Sequence, residues 1–134
     1  MPNVNSQGPL PALDISSIDL YWLTTPAGPV LMVLMSIGMR ASEVPTCFRV
    51  LIMCMPSHNA MNQTPVTVSG PGPGALSGMV CSASGNLSFS TKLFIEYFPG
   101  TRGLMDMTKQ NGPTMNSVGN TPIPSQIRFY NPSR

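Results

Sequence analysis

Proline and glycine interrupt this chain so often that few stretches longer than about ten residues escape them. Fifteen Pro and twelve Gly are spread over 134 residues. Proline removes a backbone donor and breaks a helix interior, and glycine in an element's interior is costly, so long helices are excluded and short strands between turns remain. Six strands are expected: Leu13 to Thr24, Val30 to Arg40, Cys47 to Met55, Val66 to Ser69, Ala75 to Ser84 and Leu87 to Phe98. In the first, Ile18, Leu20 and Trp22 alternate with Asp19 and Tyr21, which predicts one buried face. Cys47 to Met55 is apolar on both faces and is expected to be central or covered on both sides. Leu87 to Phe98 has the clearest strand pattern, with Leu87, Phe89, Leu93, Ile95 and Tyr97 sharing one parity. Short strands with Gly/Pro turns at a spacing of roughly 8–12 residues predict an all-β, antiparallel sandwich or barrel.

The flanks differ from the body. Residues 1–12 hold three Pro and read as an extended N-terminal arm. Residues 13–100 form the β domain. Residues 101–134 show no periodic core pattern and read as an extended C-terminal tail, too long for a loop inside a compact domain. No signal peptide is expected from Met1-Pro2-Asn3-Val4-Asn5, which lacks basic residues and an apolar run. The longest apolar run, Val30 to Met39, is ten residues, half of a membrane-spanning helix, so no membrane span is expected.

Charge is the second constraint. Seven Lys/Arg and five Asp/Glu make 9% of the chain, against about 25% in an ordinary soluble domain. Either the surface is covered by neighbours or charge is not needed for solubility, and the first is the expectation. No Lys/Arg cluster supplies a nucleic-acid footprint.

Tests for chemistry return little. Gly70-x-Gly72-x-x-Ala75 matches a dinucleotide fingerprint on paper, but Pro71 and Pro73 remove amides and no helix follows, so a turn between strands is expected. His58 is the only histidine, and no Cys pair has zinc-ligand spacing, so it reads as a loop residue at a strand end. Cys54 with His58, or a Ser/His/Asp set, would have to meet in space, and no flanking signature supports either. On one strand Cys47 and Cys54 would lie roughly 23 Å apart, so with Cys81 they read as free thiols. Asp14, Asp19, Glu43, Glu96 and Asp106 are scattered. No catalytic residue, cofactor or metal ligand is nominated, and a non-enzyme is expected. The sequons at Asn62 and Asn86 carry no meaning without a secretory route. Met32, Met35, Met39, Met53 and Met55 read as core filling, whereas Met105, Met107 and Met115 lie on a segment that needs a partner. Arg128-Phe129-Tyr130 is the one basic-aromatic cluster, a weak candidate for contact with RNA.

The order Leu31-Met32-Val33-Leu34, Cys47-Phe48-Arg49-Val50-Leu51-Ile52, Pro65-Val66-Thr67-Val68-Ser69-Gly70-Pro71-Gly72, then Phe89 to Phe98, resembles the jelly-roll coat proteins of picorna-like RNA viruses. It is most similar to the single-domain coat subunits of plant members such as comoviruses. The resemblance covers roughly residues 13–100 and implies a short jelly-roll β-sandwich. It also implies a tail running over a shell, other capsid subunits as partners in an icosahedral virion assembled in the host cytoplasm, and no basic RNA-binding arm. A jelly roll has eight strands, so the six expected here mark a departure. The alternatives are a β-sandwich binding module of a secreted or surface protein, and an enzyme on a β scaffold.

Overall fold

The computed structural model describes residues 2–131. Met1 of the expected arm and residues 132–134 of the expected tail lie outside the described residues. The chain is all-β, as the Pro/Gly spacing predicts, apart from a single 3₁₀ turn at Arg40–Ser42.

The longest elements are β1 (Leu13–Thr25) and β2 (Gly28–Met39), a hairpin closed by Pro26 and Ala27 and kinked by a register shift between Ser16 and Asp19. Next come two-residue strands: β3 (Leu51–Ile52), β4 (Met55–Pro56), β5 (Gln63–Thr64) and β6 (Thr67–Val68). They are followed by β7 (Ser84–Asn86), β8 (Phe94–Ile95), β9 (Phe98–Pro99), β10 (Met107–Gln110) and β11 (Ser117–Ile123). One antiparallel sheet has the order β5-β7-β10-β11-β1-β2-β6, and β3-β4 and β8-β9 are separate hairpins. The edge strands β5 and β6 are joined only by Pro65 and Val66, a link that reaches at most about 11 Å. The sheet must therefore curl until its two edges nearly meet, giving a nearly closed barrel.

Several expectations are corrected. Cys47 to Met55 is not one strand: Met53 and Cys54 take φ of 52° and 65° and fold it back as the β3-β4 hairpin. Positive φ at both central residues of a two-residue loop is the mirror-image turn that matches strand twist. Leu87 to Phe98 is broken in the same way, with Glu96 and Tyr97 at φ of 47° and 72° joining β8 to β9. It is also broken at Ser90, whose Oγ accepts the amides of Lys92 and Leu93 at 3.3 and 3.1 Å and so holds a turn. Ala75 to Ser84 is turn, bend and irregular chain rather than strand, and β7 begins at its last residue.

Both flanks are woven into the body. The tail region supplies β10 and β11, and β11 is the partner of β1. Val4 and Ser6 form bridges with Arg102 and Ser57, and Val4 is fully buried with Cys47 and Ile95 in the one small apolar cluster. Gln126 ties the ends together: its Nε2 donates to the Val4 carbonyl at 2.9 Å, and its Oε1 accepts the amides of Arg128 and Phe129 at 2.7 Å.

The Gly70–Gly74 run does more than turn. It crosses the β1-β2 ribbon and then pairs with β1, where the Trp22 amide donates to Pro73 at 2.9 Å and the Ala75 amide to Leu20 at 2.8 Å. A Cβ on Gly72 would overlap the Trp22 carbonyl, so close backbone approach requires glycine there.

Candidate functional site

Alternation along the strands is as regular as the sequence suggests, but its polarity is inverted. On β1, Asp14, Ser16, Asp19 and Tyr21 are buried, while Ile18 and Trp22 are exposed. On β10, Thr108 and Gln110 point in and Met107 points out; on β11, Thr121 is buried and Val118 and Ile123 are exposed. The five strand methionines assigned to the core, Met32, Met35, Met39, Met53 and Met55, are all exposed, as are Met105, Met107 and Met115. A barrel in water buries apolar side chains because that is the dominant favourable term in folding. This one encloses polar groups and turns its apolar groups outward.

The barrel interior is organised around Arg40, which leaves β2 at the start of the 3₁₀ turn. Its Nε donates to Asp14 Oδ1 at 2.9 Å and to Thr121 Oγ1 at 3.2 Å. Its Nη1 donates to Glu43 Oε1 at 2.8 Å, and its Nη2 to Asn86 Oδ1 at 3.1 Å. Asn86 in turn donates to the carbonyls of Asn59 and Asn62, and Thr46 donates to both of those side chains. His58 stands outside the strands just past the end of β4, as expected of a loop residue at a strand end, but it is fully buried, with Nδ1 2.5 Å from Glu43 Oε2. Neither ring nitrogen has an aligned hydrogen-bond partner among the described residues.

The two buried carboxylates that share this guanidinium are shifted in opposite directions. Burial raises the pKa of Asp14 against the attraction of Arg40, and the neighbouring Glu43 raises it further. Burial also acts upward on Glu43, but Arg40 and His58 overcome it and hold Glu43 below its ordinary range. Asp14, Arg40, Glu43 and His58 are all buried, so the cluster cross-links the barrel strands and offers no exposed ionisable group to a substrate.

Two smaller polar sites follow the same plan. Asp19 accepts hydrogen bonds from Tyr21 Oη and Asn116 Nδ2 beneath the ribbon, and burial with the Asp19 hydrogen bond pushes the Tyr21 phenol up to about 12. Arg102 pairs with Asp106, its Nη2 2.8 Å from Oδ1. Asp14, Asp19, Arg40, Glu43, Arg102 and Asp106 are thus all buried, and the remaining described charges are Arg49, Lys92, Glu96, Lys109 and Arg128. A chain already poor in charge has most of it inside.

The other sequence candidates stay apart. Cys54 is exposed in the β3-β4 turn, Cys47 is buried against Ser57, and Cys81 is partly exposed with its thiol pKa lowered by hydrogen bonds from Ser69. Among the described residues, no group of His, Cys, Asp and Glu is placed to hold a metal ion. Asn62 is buried and Asn86 is committed to Arg40, so neither sequon presents a free surface asparagine. Arg128 and Phe129 border an apolar groove of about 440 Å³ with residues that include Leu51 and Phe94. No helix is long and apolar enough to cross a membrane among the described residues, which says nothing of strands. No family model, curated protein or solved structure matches this chain.

Proposed function

We propose that this chain is a structural subunit of a many-copy shell of capsid type, in which neighbouring copies cover its apolar exterior. The observation that carries the reading is the inverted polarity: Ile18, Val33, Met35, Leu51, Phe94 and Leu104 are all exposed while six charged residues are buried. Apolar side chains exposed in such number call for contact with something other than water. Obligate interfaces resemble a domain core cut in half, so an exterior of this kind suits a subunit that exists mainly in assembled form. The assignment to a virion rests on the sequence resemblance to picorna-like coat subunits alone. The cations outside buried pairs, Arg49, Lys92, Lys109 and Arg128, are few and scattered, which supports at most weak contact with a genome. The reading assigns no catalysis.

A lipid-facing barrel is the second reading, because polar-in, apolar-out alternation is its signature. Strand length disfavours it. A spanning strand needs about 9–11 residues; β1 and β2 reach this, but β5 and β6 have two residues, β7 three and β10 four. Light scattering and electron microscopy of the purified chain test both readings. Particles far larger than the 14.3 kDa chain support the shell. A stable monomer overturns it, and flotation with phosphatidylcholine vesicles without particles replaces it with the membrane reading.

A further inference from the structure

The outer edge of β2 is unpaired over most of its length. β6 pairs with β2 only at Ile37 and Gly38. From Val30 to Ser36, every strand pairing of β2 among the described residues is with β1. An open edge is a row of backbone donors and acceptors that only another extended strand can satisfy in register. Natural sheets protect such edges with Lys, Pro, bulges or an inward charge. Here Gly28–Met39 contains no charged residue, and Pro29 lies at the turn, beyond the stretch in question.

We propose that this edge is a self-association seam, at which β2 of one copy pairs antiparallel with β2 of a second copy about a two-fold axis. This rests on the assembly reading above and names the contact. The free backbone edge sets the occupant as a strand. The side chains indicate a second copy, because a symmetric contact must be self-complementary. With the axis through Val33, antiparallel pairing sets Val33 opposite its own symmetry mate, Met32 opposite Leu34 and Leu31 opposite Met35. Every pair is apolar, and no like charges oppose one another. One face of the ribbon is crossed by the Gly70–Gly74 run, which packs on Tyr21 and Leu34. Trp22, Leu31, Val33 and Met35 lie on the opposite face, all exposed, so pairing of two ribbons would join two such faces into one continuous apolar surface.

The test compares the full-length chain with Val33→Lys at the seam and Leu76→Lys in the loop beyond the opposite edge of the ribbon, by sedimentation over a range of concentration. Because two symmetry-related lysines would meet at the seam, Val33→Lys is expected to weaken association about tenfold or more. Leu76→Lys, more exposed than Val33, is expected to leave that step unchanged. Hydrogen exchange on the unmodified chain gives a second readout that does not depend on a variant folding: the alternate amides of Val30 to Met35 that face the open edge become protected on association. Equal association of both variants, with β2 amides exchanging alike in free and associated chains, overturns the seam. If large particles still form under those conditions, the shell reading survives without it. If only two-chain species form and depend on Val33, the seam stands and the shell reading fails.

Discussion

Replacing Arg40 with Met tests whether the polar interior holds the barrel together. The guanidinium makes four hydrogen bonds, at 2.9 Å to Asp14, 3.2 Å to Thr121, 2.8 Å to Glu43 and 3.1 Å to Asn86, and only 1% of Arg40 is exposed. Methionine fills much of the same volume, so packing loss is small and the cost comes from charge. Glu43 would be left as a buried anion whose remaining ionisable neighbours are His58 and Asp14. Removing one partner of a buried pair costs about 3–5 kcal/mol, a shift of the folding equilibrium on the order of 10²–10⁴-fold. Against a total stability of about 5–15 kcal/mol this is enough to leave much of the chain unfolded. Urea denaturation at fixed chain concentration, followed by Trp22 fluorescence and circular dichroism, gives the number. The triple variant Arg40→Met, Asp14→Asn, Glu43→Gln removes the charges together and is expected to regain at least half of the loss, since a buried ion cluster contributes little net once no charge is stranded. An Arg40→Met variant within about 0.5 kcal/mol of the parent would refute the reasoning, well below the expected cost of a stranded buried charge. Equal losses in the single and triple variants would show that charge is not the cause.

The opposed shifts of Asp14 and Glu43 give a signed pH profile. With its folded pKa raised, Asp14 favours the fold increasingly as pH falls from neutrality through that pKa toward 3.8. With its folded pKa lowered, Glu43 contributes stability above 4.5 that is lost as pH falls through the folded value. Stability should pass through a maximum in the ordinary carboxylate range; Asp14→Asn should abolish the rise and Glu43→Gln the fall, and urea midpoints measured from about pH 3 to pH 7 check both. Tyr97→Gly should stabilise the chain by about 0.5–1 kcal/mol, because Tyr97 is 94% exposed at φ 72° and glycine removes the left-handed penalty without losing packing; a lower urea midpoint would count against the β8-β9 turn. Gly72→Ala should cost about 1–3 kcal/mol by forcing the Gly/Pro run off the Trp22 carbonyl, read as faster exchange of the Trp22 amide that donates to Pro73.

Elements whose ends carry ordinary turn residues were legible in the sequence. Pro26 and Gly28 bracket the β1-β2 hairpin where punctuation places it, and Pro65 separates β5 from β6. Elements turned by unusual residues were not. Met53-Cys54 and Glu96-Tyr97 occupy left-handed turns that Asn or Gly normally fill, so each hairpin reads as one continuous apolar strand. The expected tail was misread for a related reason. Thr108, Gln110, Ser117 and Thr121 alternate as strand residues should, but their inward positions are polar, and a search for apolar periodicity passes over them. The Arg40 cluster carried no local signal at all. Its four ionisable members come from residues 14, 40, 43 and 58 and meet only when the sheet curls.

The deepest error of the sequence reading concerns sign, and it has a physical source. A period of two says that a strand has two different faces; it does not say which face is inside. Choosing the apolar face assumes that water is the medium outside. On β1 that assumption places Trp22 inside and Asp19 outside, and the structure does the reverse. The low charge of the chain already argues against the assumption, because a surface meant for water rarely carries so little. Burying Asp14, Asp19, Arg40, Glu43, Arg102 and Asp106 then withdraws more than half of the described charges from the surface. An interior held by ion pairs and an exterior of Met, Val, Leu and Phe belong together only if the apolar exterior meets something other than water. If the medium is copies of the same chain, the polar interior need supply only shape and register, and most of the apolar burial that stabilises an ordinary domain arrives at assembly. Stability of the chain should then rise with its own concentration, as for obligate oligomers. Urea midpoints that stay constant over a hundredfold range of chain concentration would remove the reason for the inverted fold.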